Sequence, residues 1–246
     1  MIGLLIDLVD IIRGRGRKQK ALASVVVRVK HFGFVDAARQ RIGAAARPTD
    51  DESALAMQLP ITRPLAGDLV LAYAIDGRTE LSYVSRDFLV RHKLGEDELH
   101  EAALANTRAQ IMKGVSIGQT RTFRGLETKL GGLAATIAAF PEFWKPIEAQ
   151  SGAELIAAIP GREFLCFLAL PTEQPARNDA LVRSWIMKNA AIAAFEESAN
   201  HALSELTFRV RDGKFEARER LDEQDPELAS LLASAEGDAL LAKYPS

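Results

Sequence analysis

The sequence predicts an α+β fold: a mostly antiparallel sheet built from hairpins, packed against several helices that include one long helix near 175–203. Three observations carry this. Apolar segments meet at Asp76-Gly77 and again at Asp212-Gly213, the form of β-hairpins, because a tight turn needs positive φ and Gly supplies it without steric cost. Helical periodicity falls between such pairs instead of alternating one strand to one helix, which argues against a doubly wound parallel sheet. The segment near 175–203 carries an apolar stripe at helical spacing, suited to covering a sheet.

In chain order, Ile2, Leu5, Ile6, Val9 and Ile12 fall on one side of a helix, with Asp7 and Asp10 on the other. Arg13-Gly14-Arg15-Gly16-Arg17 breaks it. Ala23–Val29 is β-branched and reads either as a strand or as a helix continued across Lys20. Val35, Ala38 and Ile42 predict a helix within 33–46, and 47–53 has the composition of an exposed loop. Ala54–Leu59 alternates Leu55, Met57 and Leu59 against Ala54, Ala56 and Gln58, a strand pattern that Pro60 ends. Residues 61–67 then connect into the first hairpin, Leu69–Ile75 and Thr79–Val84.

Ser85 is placed to cap a helix over 86–92 that Gly95 ends. Glu96, Asp97 and Glu98 open a longer helix to near Lys113, since acidic residues complement the positive end of a helix. Its buried side is expected to hold Leu99, Ala102, Ala103, Leu104 and Met112, with His100, Glu101, Arg108 and Gln110 outward. The Thr-rich 115–130 segment predicts a second hairpin pivoting near Arg124-Gly125. Residues 133–150 read as mainly helical, limited by Pro141 and Pro146. Glu154–Ile159 and Glu163–Leu170 read as strands around a Pro160-Gly161 turn; the second is nearly all apolar and therefore central in its sheet.

The long helix starts at Thr172 or Asn178 and ends near Leu203, with Leu181, Trp185, Ile192, Phe195, Ala199 and Ala202 on its buried stripe. Leu206, Phe208 and Val210 then oppose Thr207, Arg209 and Arg211 on a strand that turns at Asp212-Gly213 and returns as Lys214–Ala217. Residues 225–243 form a terminal helix, with Gly237 as the place for a break.

The chain of 246 residues is 48% hydrophobic and 26% charged, enough for a core without disulfide or metal staples. A prior of about 150 residues per domain allows one domain or two. The expected organisation is an apolar helix with a basic segment over 1–22 and an α+β body over 23–246, with a division of the body near 113 left open. With 31 basic and 33 acidic residues the formal net charge is −2, so no overall field draws the chain to nucleic acid. The lone Cys166 excludes an intrachain disulfide and suits a reducing compartment; its apolar neighbours make it a packing residue and not a nucleophile. Met1–Ile12 precedes its basic run, Arg13 to Lys20, the reverse of a secretory signal, and is shorter than the roughly 20 residues of a membrane span. The expectation is a cytoplasmic protein.

Catalytic constellations are missing from the sequence. Gly125, Gly131 and Gly132 fit neither a P-loop nor a dinucleotide fingerprint, and no Gly-x-Ser-x-Gly elbow occurs. His31, His92, His100 and His201 lack the spacing of a zinc site. Asp50-Asp51-Glu52 reads as a solvated acidic loop and Glu196-Glu197 with His201 as a polar helix face. No catalytic residue, metal site or cofactor is predicted. The residues singled out for ligand binding are Tyr73, Arg78, Tyr83 and Asn106, which gather at the mouth of the first hairpin if the following helix packs across its strands; Asp76 is a turn residue.

Leu69–Asp76 (LVLAYAID), Glu96–Asn106 (EDELHEAALAN), Gly152–Pro160 (GAELIAAIP) and Phe164–Leu170 (FLCFLAL) follow one another in an order that resembles the YtpQ-like family of uncharacterised bacterial proteins. There, a Tyr/Leu-rich strand ending in Asp precedes a helix with Ala-x-Asn, and an apolar strand precedes a Leu-Ser before the last hairpin, here Leu203-Ser204. The resemblance covers 68–217; Thr107 departs from it by replacing an apolar residue, as does the apolar N-terminal helix with its basic run. It implies a bacterial, cytoplasmic setting and no assigned activity. The leading expectation is a non-enzymatic module that binds another protein or itself through a docking helix. The alternatives are an enzyme whose site assembles from dispersed polar residues, and peripheral membrane contact through residues 1–20, apolar face in and basic tail on anionic headgroups.

Overall fold

The computed structural model describes residues 16, 18–45, 51–76, 81–111, 114–128 and 133–244. The helix expected at 1–12, residues 77–80 with Arg78 and the start of the second hairpin strand, and Met112 lie outside them. The fold is α+β with two antiparallel sheets. The chain divides into two compact units: Met1–Arg28, Phe32–Arg63 and Leu71–Gln110 form one, and Val29–His31, Pro64–Val70 and Ile111–Ser246 the other.

Strands β1 (Val25–His31), β2 (Thr62–Ala66), β3 (Leu69–Asp76) and β4 (Leu81–Tyr83) form a sheet of order β1-β3-β2, with β4 also on β3. The β-branched 23–29 segment is therefore strand, because Val25, Val26, Val27 and Val29 are all buried. The first hairpin pairs as expected, Ala74 against Tyr83 and Asp76 against Leu81. Two readings on the approach to it are corrected. Residues 62–66 are strand β2 and not a connector; β2 is an edge strand, where the missing N–H of Pro64 costs no ladder bond. Ala54–Gln58 is not a strand but most of helix α2 (Glu52–Gln58), with Leu59 as its C-cap; α2 follows α1 (Phe34–Ala45). Asp51 caps α2 by accepting from the Ser53 N–H, and Ala, Leu, Met and Gln are strong helix formers.

Helices α3 (Arg86–His92) and α4 (Glu96–Ile111) follow. Ser85 sits at the start of α3 without a side-chain capping bond, and Lys93 at φ 52°, not Gly95, closes it. In α4 the buried face holds Leu99, Ala103, Thr107 and Ile111, so it includes a hydroxyl that the sequence pattern did not mark.

The second unit is built on a six-stranded sheet of order β10-β9-β7-β8-β6-β5. Its strands are β5 (Val115–Gln119), β6 (Arg124–Thr128), β7 (Glu154–Gly161), β8 (Phe164–Leu170), β9 (Leu206–Arg211) and β10 (Lys214–Arg220). The β5–β6 turn is Thr120–Phe123, earlier than Arg124-Gly125, since Gln119 pairs with Arg124. Pro160-Gly161 is likewise the end of β7 and not a turn, because Gly161 pairs with Phe164 and Arg162-Glu163 turns the chain. β8 is central as its composition predicted, and both its faces are covered. Cys166, Leu168 and Leu170 join the core under helix α6 (Ala176–Ser198). Phe167 instead meets Trp144, with ring centroids 5.2 Å apart.

Trp144 lies on helix α5 (Pro141–Ser151), fully buried, edge-on to Phe215 as well, and its indole N–H donates to the Ile137 carbonyl at 3.0 Å. The 133–150 segment is less uniform than expected: a 3-10 turn at Ala135–Ala139 precedes α5, which starts at Pro141 and carries Pro146 inside. The buried residues of α6 are Ala180, Leu181, Val182, Ser184, Met187, Lys188 and Ala191; Trp185, Ile192 and Phe195 flank them half-buried. The helix ends at Ser198, before a 3-10 turn at Ala199–His201. The last hairpin turns at Asp212-Gly213 as expected, with φ of 50° and 75°. The terminal segment is two helices, α7 (Pro226–Leu232) and α8 (Ala235–Leu241), split at Ala233-Ser234 because Ser234 caps α8; Gly237 lies inside α8.

Candidate functional site

Tyr73, on β3, is fully buried, and its hydroxyl meets Nδ1 of His100 on α4 at 2.9 Å. Burial pushes the Tyr73 phenol up to about 12 and pulls His100 below its ordinary value. The imidazole is therefore neutral at pH 7, and Nδ1 is assigned as acceptor from the phenol O–H. Beside them Arg63 pairs with Asp97 (Nη2 to Oδ1 2.5 Å), a hydrogen bond that lowers the Asp97 carboxyl and raises the guanidinium. A protonated phenol against a neutral imidazole tethers a strand to a helix and holds its proton in place.

Asn106 and Thr107, consecutive on α4, both serve the open edge of β1. Asn106 Nδ2 donates to the carbonyls of Leu22 and Val25, each at 2.8 Å. Thr107 Oγ1 accepts from the Val27 N–H at 2.8 Å and donates to the Ala103 carbonyl at 2.7 Å. Tyr83 packs its ring on Phe34 at 4.6 Å between centroids. Asp76 lies 3.8 Å from Arg28 Nη2, whose pKa burial lowers against the pull of Asp76 and Tyr83. Of the sequence-selected set, Tyr73 and Asn106 thus make internal hydrogen bonds and Tyr83 a ring contact.

Three clefts are lined by other described residues. In the first unit a groove of about 480 Å³ runs between α1 and α2, lined by Arg39, Ile42, Glu52, Leu55 and Leu59. In the second unit, Arg121 and Arg124 at the β5–β6 turn face a cleft that Arg183 of α6 also lines. Glu197 and His201 border a third cleft with Arg162 and Glu163, and no ion pair joins the two among the described residues. Glu196 is exposed and does not line that cleft. Cys166 is fully buried, its thiol pushed up to about 12 by desolvation, so it is not a nucleophile. Among the described residues no three His, Cys, Asp or Glu side chains converge for a metal, and no helix is long and apolar enough to cross a membrane.

Sequence reasoning missed Arg63 and the arginine cleft, and it set His100 facing out. The only local sign was Thr120-Arg121-Thr122, a hydroxyl-rich turn carrying a cation. No protein-family model, no curated protein and no solved structure matches the chain.

Proposed function

We propose that the protein is a non-enzymatic binding module of a bacterial cytoplasm, and that it engages a protein surface through helices α1 and α2. The observation that carries this reading is that neither helix buries a single residue, although α1 bears Phe34, Val35 and Ile42 and α2 bears Leu55 and Met57. Ile42 and Leu55 stay half-exposed along the groove itself, and Val35 and Met57 are half-exposed on the same two helices. Apolar surface left open on paired helices is the kind a partner covers, at roughly 25 cal/mol per Å² removed from water. Arg39 and Glu52 on the groove rim give a partner polar points of orientation. The YtpQ-like resemblance supports the bacterial, cytoplasmic setting.

Ile42→Asp with Leu55→Asp is the test, since both residues are half-buried and tolerate charge. Wild-type protein is expected to gain mass by light scattering, or to retain a defined protein from its native cytoplasm, and the double variant to lose that with its melting temperature kept. A wild-type protein that stays monomeric at about 100 µM and captures nothing the variant does not would overturn the reading.

A further inference from the structure

We infer that the second unit carries a binding site for a small phosphorylated ligand, in the cleft between the β5–β6 turn and Arg183 of α6. The turn is built to hold its cations in place. Thr120 Oγ1 accepts from the N–H groups of Thr122 (3.2 Å) and Phe123 (3.0 Å) and donates to the Phe123 carbonyl (2.8 Å). This sets Arg121 within the turn and Arg124 on the first residue of the returning strand.

The cleft measures about 430 Å³ and is lined by three arginines and no Asp or Glu. That volume falls in the range of small-ligand pockets. Among the described residues neither Arg121 nor Arg124 has an ion-pair partner. Arg183 adds a third guanidinium to the lining; its Nε lies 3.0 Å from Asp179 Oδ2, and the side chain remains 30% exposed.

A chain of net charge −2 that gathers three arginines around one concavity creates a local positive field. Guanidinium groups match phosphate oxygens in a planar, two-pronged geometry that a lysine cannot copy. The amides of Gln119 and Gln150, which also line the cleft, add neutral donors. Thr120, Arg121 and Thr122 also border a neighbouring cleft that Trp185 and Tyr244 line, so the far side of the turn offers flat aromatic surface to whatever the phosphate is attached to.

The experiment titrates the full chain with inorganic phosphate and, separately, with adenosine monophosphate, by calorimetry and by tryptophan fluorescence, at low salt. Saturable one-to-one binding is expected, weakened about tenfold or more by Arg121→Gln with Arg124→Gln and by added salt. Both residues are exposed, Arg121 in the turn and Arg124 at the start of β6, and an unchanged melting temperature shows that the fold survives the substitutions. Tighter binding of the nucleotide with a change in Trp185 emission assigns the aromatic cleft to the ligand body; equal binding assigns recognition to the phosphate alone. Absence of saturable binding up to about 10 mM of either probe overturns the inference, as does binding that the double variant leaves within about twofold. These outcomes do not involve α1 or α2 and are independent of the protein-docking surface.

Discussion

Thr107 is the residue on which the edge of β1 depends. Strand β1 is an edge strand, and an open edge exposes backbone groups that another chain can pair with. The Thr107 hydroxyl, fully buried, accepts from the Val27 N–H, and Asn106 beside it donates to the Val25 carbonyl of β1 and to the Leu22 carbonyl just before the strand. Thr107→Val keeps the shape and orphans a buried N–H, so a loss of about 1–3 kcal/mol is expected in urea unfolding. His100 gives a pH signature. Burial lowers its folded-state pKa, so between that value and the unfolded value of about 6.5 the unfolded chain binds more protons than the native one. Stability is then intact above about pH 6.5 and falls as pH drops through the lowered value. His100→Gln, which cannot titrate, should flatten the unfolding midpoint between about pH 7 and pH 5 where the wild type declines. None of these roles was legible locally: Tyr73 meets a histidine 27 positions away, and the fate of a hydroxyl at helical spacing depends on which strand edge the helix covers.

At the scale of elements, the last hairpin shows why some segments were readable. Its alternation and its Asp-Gly are complete within a dozen residues, and the structure adds an anchor: the Glu148 carboxylate accepts the N–H of both Asp212 and Gly213. A Cβ on Gly213 would lie 2.3 Å from the Pro141 carbonyl oxygen, at a φ of 75°. Gly213→Ala is expected to cost at least about 2 kcal/mol by thermal melting, and Asp212→Gly, at a positive φ that glycine tolerates, less than about 1 kcal/mol. Helix α6 supplies a second test through Lys188. It is 5% exposed, and its Nζ donates to Glu219 Oε1 (3.2 Å) and to the Glu223 carbonyl. Lys188→Ala strips both a buried partner and its packed stem, for about 2–4 kcal/mol; Lys188→Met keeps the stem and should lose less, read by the same melts. The misread elements were short. Six residues of alternation at 54–59 fit a strand or an Ala-rich helix equally, and a capping Asp51 decides the matter. The stripe on α6 was displaced toward Trp185 because aromatic residues weigh heavily in an apolar pattern, whereas the face that packs closest to the sheet prefers Ala180, Ser184 and Ala191.

For the molecule as a whole, class was legible and connectivity was not. Hairpins and helical stripes are local signals, so α+β follows from them; the order β10-β9-β7-β8-β6-β5 depends on pairings between strands far apart in sequence. The chain also passes between its two units more than once: 29–31 and 64–70 belong with 111–246 although the first unit's segments surround them. Within that second unit the join is chemical. Ser204 Oγ donates to Asp68 Oδ1 at 2.6 Å and accepts from the Leu206 N–H, and Leu203 N–H donates to the Pro160 carbonyl. Ser204 is fully buried, so losing Asp68 leaves its hydroxyl without an acceptor where water cannot replace it. A fragment of 111–246 lacks that carboxylate, along with the close approach of Gly67 to Leu206 and Ala217. The fragment is therefore expected to unfold at lower urea than the same region of the full chain, with Trp144 emission as the reporter. Asp68→Ala in the full chain should reproduce part of the loss, about 1–3 kcal/mol. Equal midpoints for fragment and full chain would show instead that 111–246 folds independently and that 64–70 merely rests on it.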